Sequence, residues 1–212
     1  PGVDGFAYYN RHSAVLLYLL VATLFFVRQQ AALVGLISVL LLTLAFVKIN
    51  GFAVAGLILA WALVSRRIGI ATSLMIAAIC LGLTAGLELL TGTVSAYLRS
   101  VLRLLDNNDS VLVINLVTTI SARFDVIFAA SLLAIYLFAS RYWGGANLLA
   151  AFDRDHPRNP APNRLDQDWL WLSVIIVSDV LFESQNFGGA AFVSVWPYLL
   201  VLFLGTAPER WL

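Results

Sequence analysis

Six side chains carry most of what this sequence could do chemically. Arg99 and Arg103 lie four residues apart in the segment 94–105, so a helix there puts them on one face, with Ser95 beside them. Arg123 follows after an apolar stretch, two residues before Asp125. Guanidinium forks bind phosphate and carboxylate groups bidentately. Arg99, Arg103 and Arg123, with Glu88 at the end of a preceding apolar stretch, therefore suit a pyrophosphate-linked or other anionic lipid substrate. Catalysis at such a site would rest on stabilising a leaving phosphate. The same arginines could equally anchor a membrane interface and pair with Glu88, Asp106, Asp109 and Asp125. A second group, Asp179 and Glu183, is again spaced by four residues inside an apolar stretch. Carboxylates inside a membrane are costly and point to proton transfer, cation binding or general-base work. With no Lys or Arg within a helical turn, Asp179 is expected to face protein or a polar cavity rather than lipid.

Other chemistries lack residues. The two histidines, His12 and His156, each lie at or beyond the end of an apolar stretch, so paired haem ligation and a His-rich metal site have nothing to use. The one cysteine, Cys80, rules out an intrachain disulfide and any Cys-based metal cage. No phosphate loop, nucleophile elbow, zinc-protease or C-x-x-C motif occurs. No metal and no cofactor is expected. A net charge of +1, with Lys48 the one lysine among 13 basic residues, gives no polybasic case for nucleic acid.

The elements that must position these residues are membrane helices. The chain is 61% hydrophobic and 12% charged, with a mean hydropathy of +0.89. Half the usual charge of about 25% cannot cover a water-facing surface. Apolar stretches fall at roughly 13–27, 31–47, 51–65, 68–90, 124–140, 169–183 and 188–205. A bilayer needs about 20 residues per helix, so the first three are short, and 31–65 reads either as two spans or as one broken helix. The predicted fold is an all-α polytopic membrane bundle, a single membrane domain over 1–212, with about seven spans (six to seven) and one interfacial amphipathic helix.

Two segments are not spans. In 92–123 the front part carries Val94, Tyr97, Leu98, Val101, Leu102 and Leu105 at helical spacing opposite the arginines, the pattern of a helix lying in the interface. Residues 106–110 break it, with Asp109 or Ser110 as an N-cap, and 111–122 either extends the fifth span or dips in as a re-entrant piece. Segment 141–168 holds three prolines within six residues and reads as a polar extramembrane loop. With seven spans, Arg28, Arg66, Arg67, Arg141, Arg154, Arg158, Arg164 and Arg210 share one side; Arg11, Lys48, Arg99, Arg103 and Arg123 share the other. The richer side is expected to be cytoplasmic, which turns the N-terminus and 92–123 outward. Tyr8, Tyr9, Tyr142, Trp143, Trp169, Trp171 and Trp211 fall near span ends, as an aromatic belt does. Gly188-Gly189 reads as a tight turn.

The opening Gly5-Phe6-Ala7-Tyr8-Tyr9-Asn10-Arg11-His12-Ser13-Ala14 resembles the G-x-F-x-N-x-N-x-x-A helix start of the O-antigen ligase and polymerase superfamily. Thr43-Leu44-Ala45-Phe46-Val47-Lys48-Ile49-Asn50-Gly51 is similar to its T-x-S-R/K element. The resemblance covers the back half of that fold. It implies an outward loop with substrate-binding arginines, here Arg99, Arg103 and Arg123, followed by three closing spans. His12 stands where the pattern has its second Asn, and the short outward loop lacks the histidine expected there. The expectation is a bacterial inner-membrane protein, polysaccharide ligase- or polymerase-like, acting on a lipid-diphosphate-linked glycan. Two alternatives stand beside it: a non-catalytic, lipid-binding subunit that packs helices in a larger membrane complex, and a small transporter using Asp179 and Glu183. The expected partners are membrane lipid and, on the subunit reading, other subunits, with no nucleic acid.

Overall fold

The computed structural model describes residues 4–106, 111–142, 165–185 and 194–204. Among them every regular element is helical: α1 (Asp4–Phe26), α2 (Gln30–Val47), α3 (Ile49–Val64), α4 (Ile70–Thr91), α5 (Thr93–Asp106), α6 (Val111–Ala122), α7 (Phe124–Tyr142), α8 (Asp168–Ser184) and α9 (Val195–Leu204). In hydrocarbon a chain must satisfy its backbone polar groups internally, and helices do so. By length and composition α2 and α4 can cross a membrane, and a third crossing results if residues 114–122 and 124–140 count as one bent span. The stretches around 13–27 and 51–65 form shorter apolar helices. The Pro-rich part of 141–168, Asp109, Ser110 and Gly188-Gly189 lie outside the described residues.

A few polar contacts fix the topology. Lys48, between α2 and α3, donates to Asn10 near the start of α1, whereas Arg67, after α3, donates to the Leu24 carbonyl near the end of α1 at 3.4 Å. So α1 and α3 run parallel and α2 runs back between them, which makes 31–65 a helical hairpin. Its hinge is Lys48, in extended conformation at φ −162° and ψ 109°. Gln30 meets Thr72 at 3.3 Å and the Cys80 thiol meets the Ser38 carbonyl at 3.7 Å. The register advances equally on both helices, so α2 and α4 are parallel neighbours. These pins matter because lipid is as apolar as leucine; packing and interhelical hydrogen bonds, roughly 1 kcal/mol each, hold membrane helices together.

The core sits between α1, α2, α3, α8 and α9, where Leu17, Leu20, Ile37, Leu44, Ile58, Leu172 and Ile175 are fully buried. Four helices converge at Gly51. A Cβ there would sit 2.9 Å from the Leu44 side chain, 3.6 Å from Ser13 and 3.7 Å from Phe182. The two segments that carry the family resemblance thus meet in space, through Asn10 with Lys48 and Ser13 with Gly51.

The bundle has two chemically distinct ends. One holds Arg28, the 65–69 turn and the start of α8. The other holds Lys48, the Gly92 turn and the end of α8. Trp171 belongs to the first as a buried core residue, not to an aromatic belt: only 1% of it is exposed, and its ring meets Phe25 edge-on at 5.0 Å.

Candidate functional site

The α6–α7 junction and the end of α8 form a polar cleft. Helices α6 and α7 meet at 78°, yet the hydrogen-bond ladder runs through the corner: Arg123 N–H donates to the Thr119 carbonyl and Ile127 N–H to the Arg123 carbonyl, both at 3.0 Å. The corner sets Arg123 at the mouth of a cleft of about 190 Å³. Asn115, Thr118 and Thr119 line its α6 side, and Glu183 with Ser184 line its α8 side. Glu183 is buried. A cation, a carboxylate, hydroxyls and an amide around one opening can bind a phosphate-bearing molecule and accept a proton from a hydroxyl placed between them.

Asp179, one turn deeper on the same helix, has a different task. Only 2% of it is exposed. Its carboxylate accepts from the Ser194 hydroxyl and from the backbone N–H groups of Ser194 and Val195, which open α9. The first N–H groups of a helix lack intrahelical partners and favour negative charge. Asp179 therefore caps α9 from across the bundle. Its other oxygen, like the hydroxyl of buried Ser178, has no hydrogen-bond partner among the described residues. Asp179 faces protein, not lipid.

Glu88 is also a capping group. Its carboxylate accepts the Ser95 N–H at 3.0 Å in the first turn of α5. Gly92 ends α4 in the left-handed conformation, φ +64°, and returns its N–H to the Glu88 carbonyl at 2.8 Å. Arg99 and Arg103 are exposed on α5, and neither lines the Arg123 cleft. Tyr97 on the opposite face donates to the Ala45 carbonyl at 2.6 Å, and burial pushes its hydroxyl above the usual tyrosine range. Burial likewise lowers the Lys48 ammonium. His12 is exposed on α1.

Sequence reasoning missed the network at the opposite end. Arg67 lies 3.5 Å from Asp166 and over the Phe25 ring at 4.0 Å. Asp166 also accepts the Trp171 indole N–H at 2.7 Å. Tyr198 donates to the Asp168 carboxylate at 3.0 Å and packs its ring on Phe25. The signal was Asp166-Gln-Asp168 ahead of Trp169-Leu-Trp171, but nothing local paired it with Arg67. No family model matches the chain, and no curated protein or solved structure is significantly similar to it.

Proposed function

We propose that this chain is a polysaccharide ligase- or polymerase-like membrane protein whose reaction centre is the Arg123–Glu183 cleft. The observation that carries the reading is that one guanidinium and one buried carboxylate border the same opening, among hydroxyl and amide groups. The resemblance supplies the substrate class, a glycan joined to a lipid through diphosphate. In the step, a hydroxyl of the acceptor sugar attacks the anomeric carbon of the donor and a new C–O bond forms. The bond from that carbon to the diphosphate oxygen breaks, and the lipid diphosphate leaves with the electron pair. Glu183 takes the acceptor proton, and Arg123 stabilises the departing charge. In this reading all seven apolar stretches enter or cross the bilayer of a bacterial inner membrane, and the cleft faces outward.

The test is transfer in nanodiscs, with a polyprenyl-diphosphate oligosaccharide as donor and product length read on a gel. The wild type elongates the glycan, and Arg123→Ala and Glu183→Gln do not. No transfer by the wild type, or full activity of Glu183→Gln, overturns the reading.

A second reading, a helix-packing subunit of a larger membrane complex, is favoured by α4. That helix packs chiefly on α2 and α5 and leaves Leu74 and Leu81, two turns apart on one face, exposed. Native mass spectrometry from mild detergent separates the two: a stable assembly with other chains, without transfer activity, supports the subunit.

A further inference from the structure

We propose that α5 lies along the bilayer surface and binds the headgroups of anionic phospholipids through Arg99 and Arg103, as a site separate from the Arg123 cleft. The inference does not depend on glycosyl transfer; it requires only that α4 be a membrane helix.

Covalent continuity places α5. The 22-residue α4 ends at Thr91, and α5 starts at Thr93. A helix leaving the end of a membrane span one residue later starts at the bilayer edge. The elbow between them is stitched at several points. Gly92 takes the left-handed conformation, the Thr91 and Thr93 hydroxyls are 2.7 Å apart, and Glu88 accepts the Ser95 N–H. Val94 is buried and Tyr97 reaches Ala45 on α2, so the first turn of α5 is held to the bundle.

Beyond that turn the apolar stripe is uncovered. Leu98 is 48% and Leu102 60% exposed. In the last turn of α4, just before the elbow, Leu89 and Leu90 are likewise uncovered, at 87% and 85%. Leucines at those α4 positions meet acyl chains, and the same phase extends beneath α5. On its opposite face Ser95, Arg99, Ser100 and Arg103 are exposed. Glu88, engaged by Ser95, lies within Coulombic reach of Arg99. Apolar side chains below and guanidiniums above are what a helix needs to sit at the acyl–headgroup boundary, and cationic side chains there draw anionic lipid.

The test uses the full chain in nanodiscs on a Cys80→Ser background. A nitroxide is placed in turn at Leu98→Cys, Leu102→Cys and Ser100→Cys, and its collisions with oxygen and with a water-soluble nickel chelate are measured. Labels at 98 and 102 should favour oxygen, and the label at 100 should favour nickel. In discs of phosphatidylcholine with phosphatidylglycerol, native mass spectrometry should show phosphatidylglycerol retained. Arg99→Gln with Arg103→Gln should cut that retention at least threefold. Nickel access at 98 and 102 equal to that at 100 overturns the proposal. So does shielding of both positions from both reagents, which would mean a second copy or a protein partner covers the stripe. Equal retention of the two lipids, or displacement of phosphatidylglycerol by millimolar inorganic phosphate, overturns the headgroup assignment.

Discussion

Where α3 hands over to α4, Arg67 is pinned to its neighbours. Asp166 sits beside it, Phe25 under its guanidinium and the Leu24 carbonyl at its Nε. At the opposite end Arg123 borders an open cleft. The two arginines are the same residue type in opposite roles. Arg67 is held by protein at its Nε, at one terminal nitrogen and on one π-face, although about 30% of its side chain stays exposed. These contacts pin the α3–α4 turn to α1 and to the start of α8. Arg123 stands where two helices turn through a sharp corner, facing a carboxylate across an opening. An arginine in a membrane bundle is thus read by what surrounds it, not by its depth in the sequence.

The largest expected effect is on the open side. Arg123→Ala should lower transfer by about 10²–10³, as removal of one charge-stabilising donor does, with the thermal midpoint in detergent unchanged. A parallel loss of stability would make Arg123 a second Arg67 and dissolve the contrast. On the pinned side the effect is on folding. Arg67→Ala should cost about 1–2 kcal/mol, because the partly exposed cation–π contact and carboxylate pair are lost together. Combining it with Asp166→Asn should cost less than the sum of the two single changes, since they share one network.

Between the ends, Asp179→Ala should cost about 2 kcal/mol through loss of the α9 cap. Asp179→Asn keeps an acceptor oxygen and should cost less than about 1 kcal/mol. If Asp179→Asn instead abolishes activity in a stable protein, Asp179 belongs to the cleft chemistry. At the four-helix crossing, Gly51→Ala should cost about 1 kcal/mol, because the atom in the way is the tip of the Leu44 side chain and can give. The smallest effect is at Arg66, which closes α3 in the left-handed conformation, φ 59°. Arg67 N–H there returns to the Ala62 carbonyl at 2.9 Å, the Schellman pattern in which glycine usually stands. Arg66→Gly relieves backbone strain but loosens the unfolded chain, for a net gain below about 1 kcal/mol. All of these are read from reversible unfolding in detergent.

The helices themselves were legible, because long apolar stretches broken by Arg28-Gln-Gln30 or Lys48-Ile-Asn50 leave few other folds. The amphipathic segment at 94–105 was legible for the same reason: its period was visible without a partner. Asp179 was only half legible. Its expense in an apolar helix predicts a polar neighbour, but the neighbour is the start of α9, fifteen residues on, and only tertiary packing brings it there. Trp171 misled because position near the end of an apolar stretch suggests an interface, whereas its indole N–H finds Asp166 on the preceding loop and lets the ring go inward. The corner at Arg123 was half legible: Arg123 and Asp125 interrupt the apolar run and allowed a re-entrant piece there, but neither Pro nor Gly marks the angle.

The stitched elbow at Gly92 also has a mechanical side. Twenty-two residues of helix are about 33 Å long, and a hydrocarbon core is about 30 Å thick, so α4 is long enough to span with some lean. A thinner bilayer makes it lean further. Glu88, Thr91, Gly92 and Thr93 tie the joint between α4 and α5, so on the proposed placement of α5 a change of lean would turn α5 against the membrane plane. The pair behaves as a bent lever, with Tyr97 on the Ala45 carbonyl as the pin that resists it. On that placement, bilayer thickness would become a torque on that one hydrogen bond.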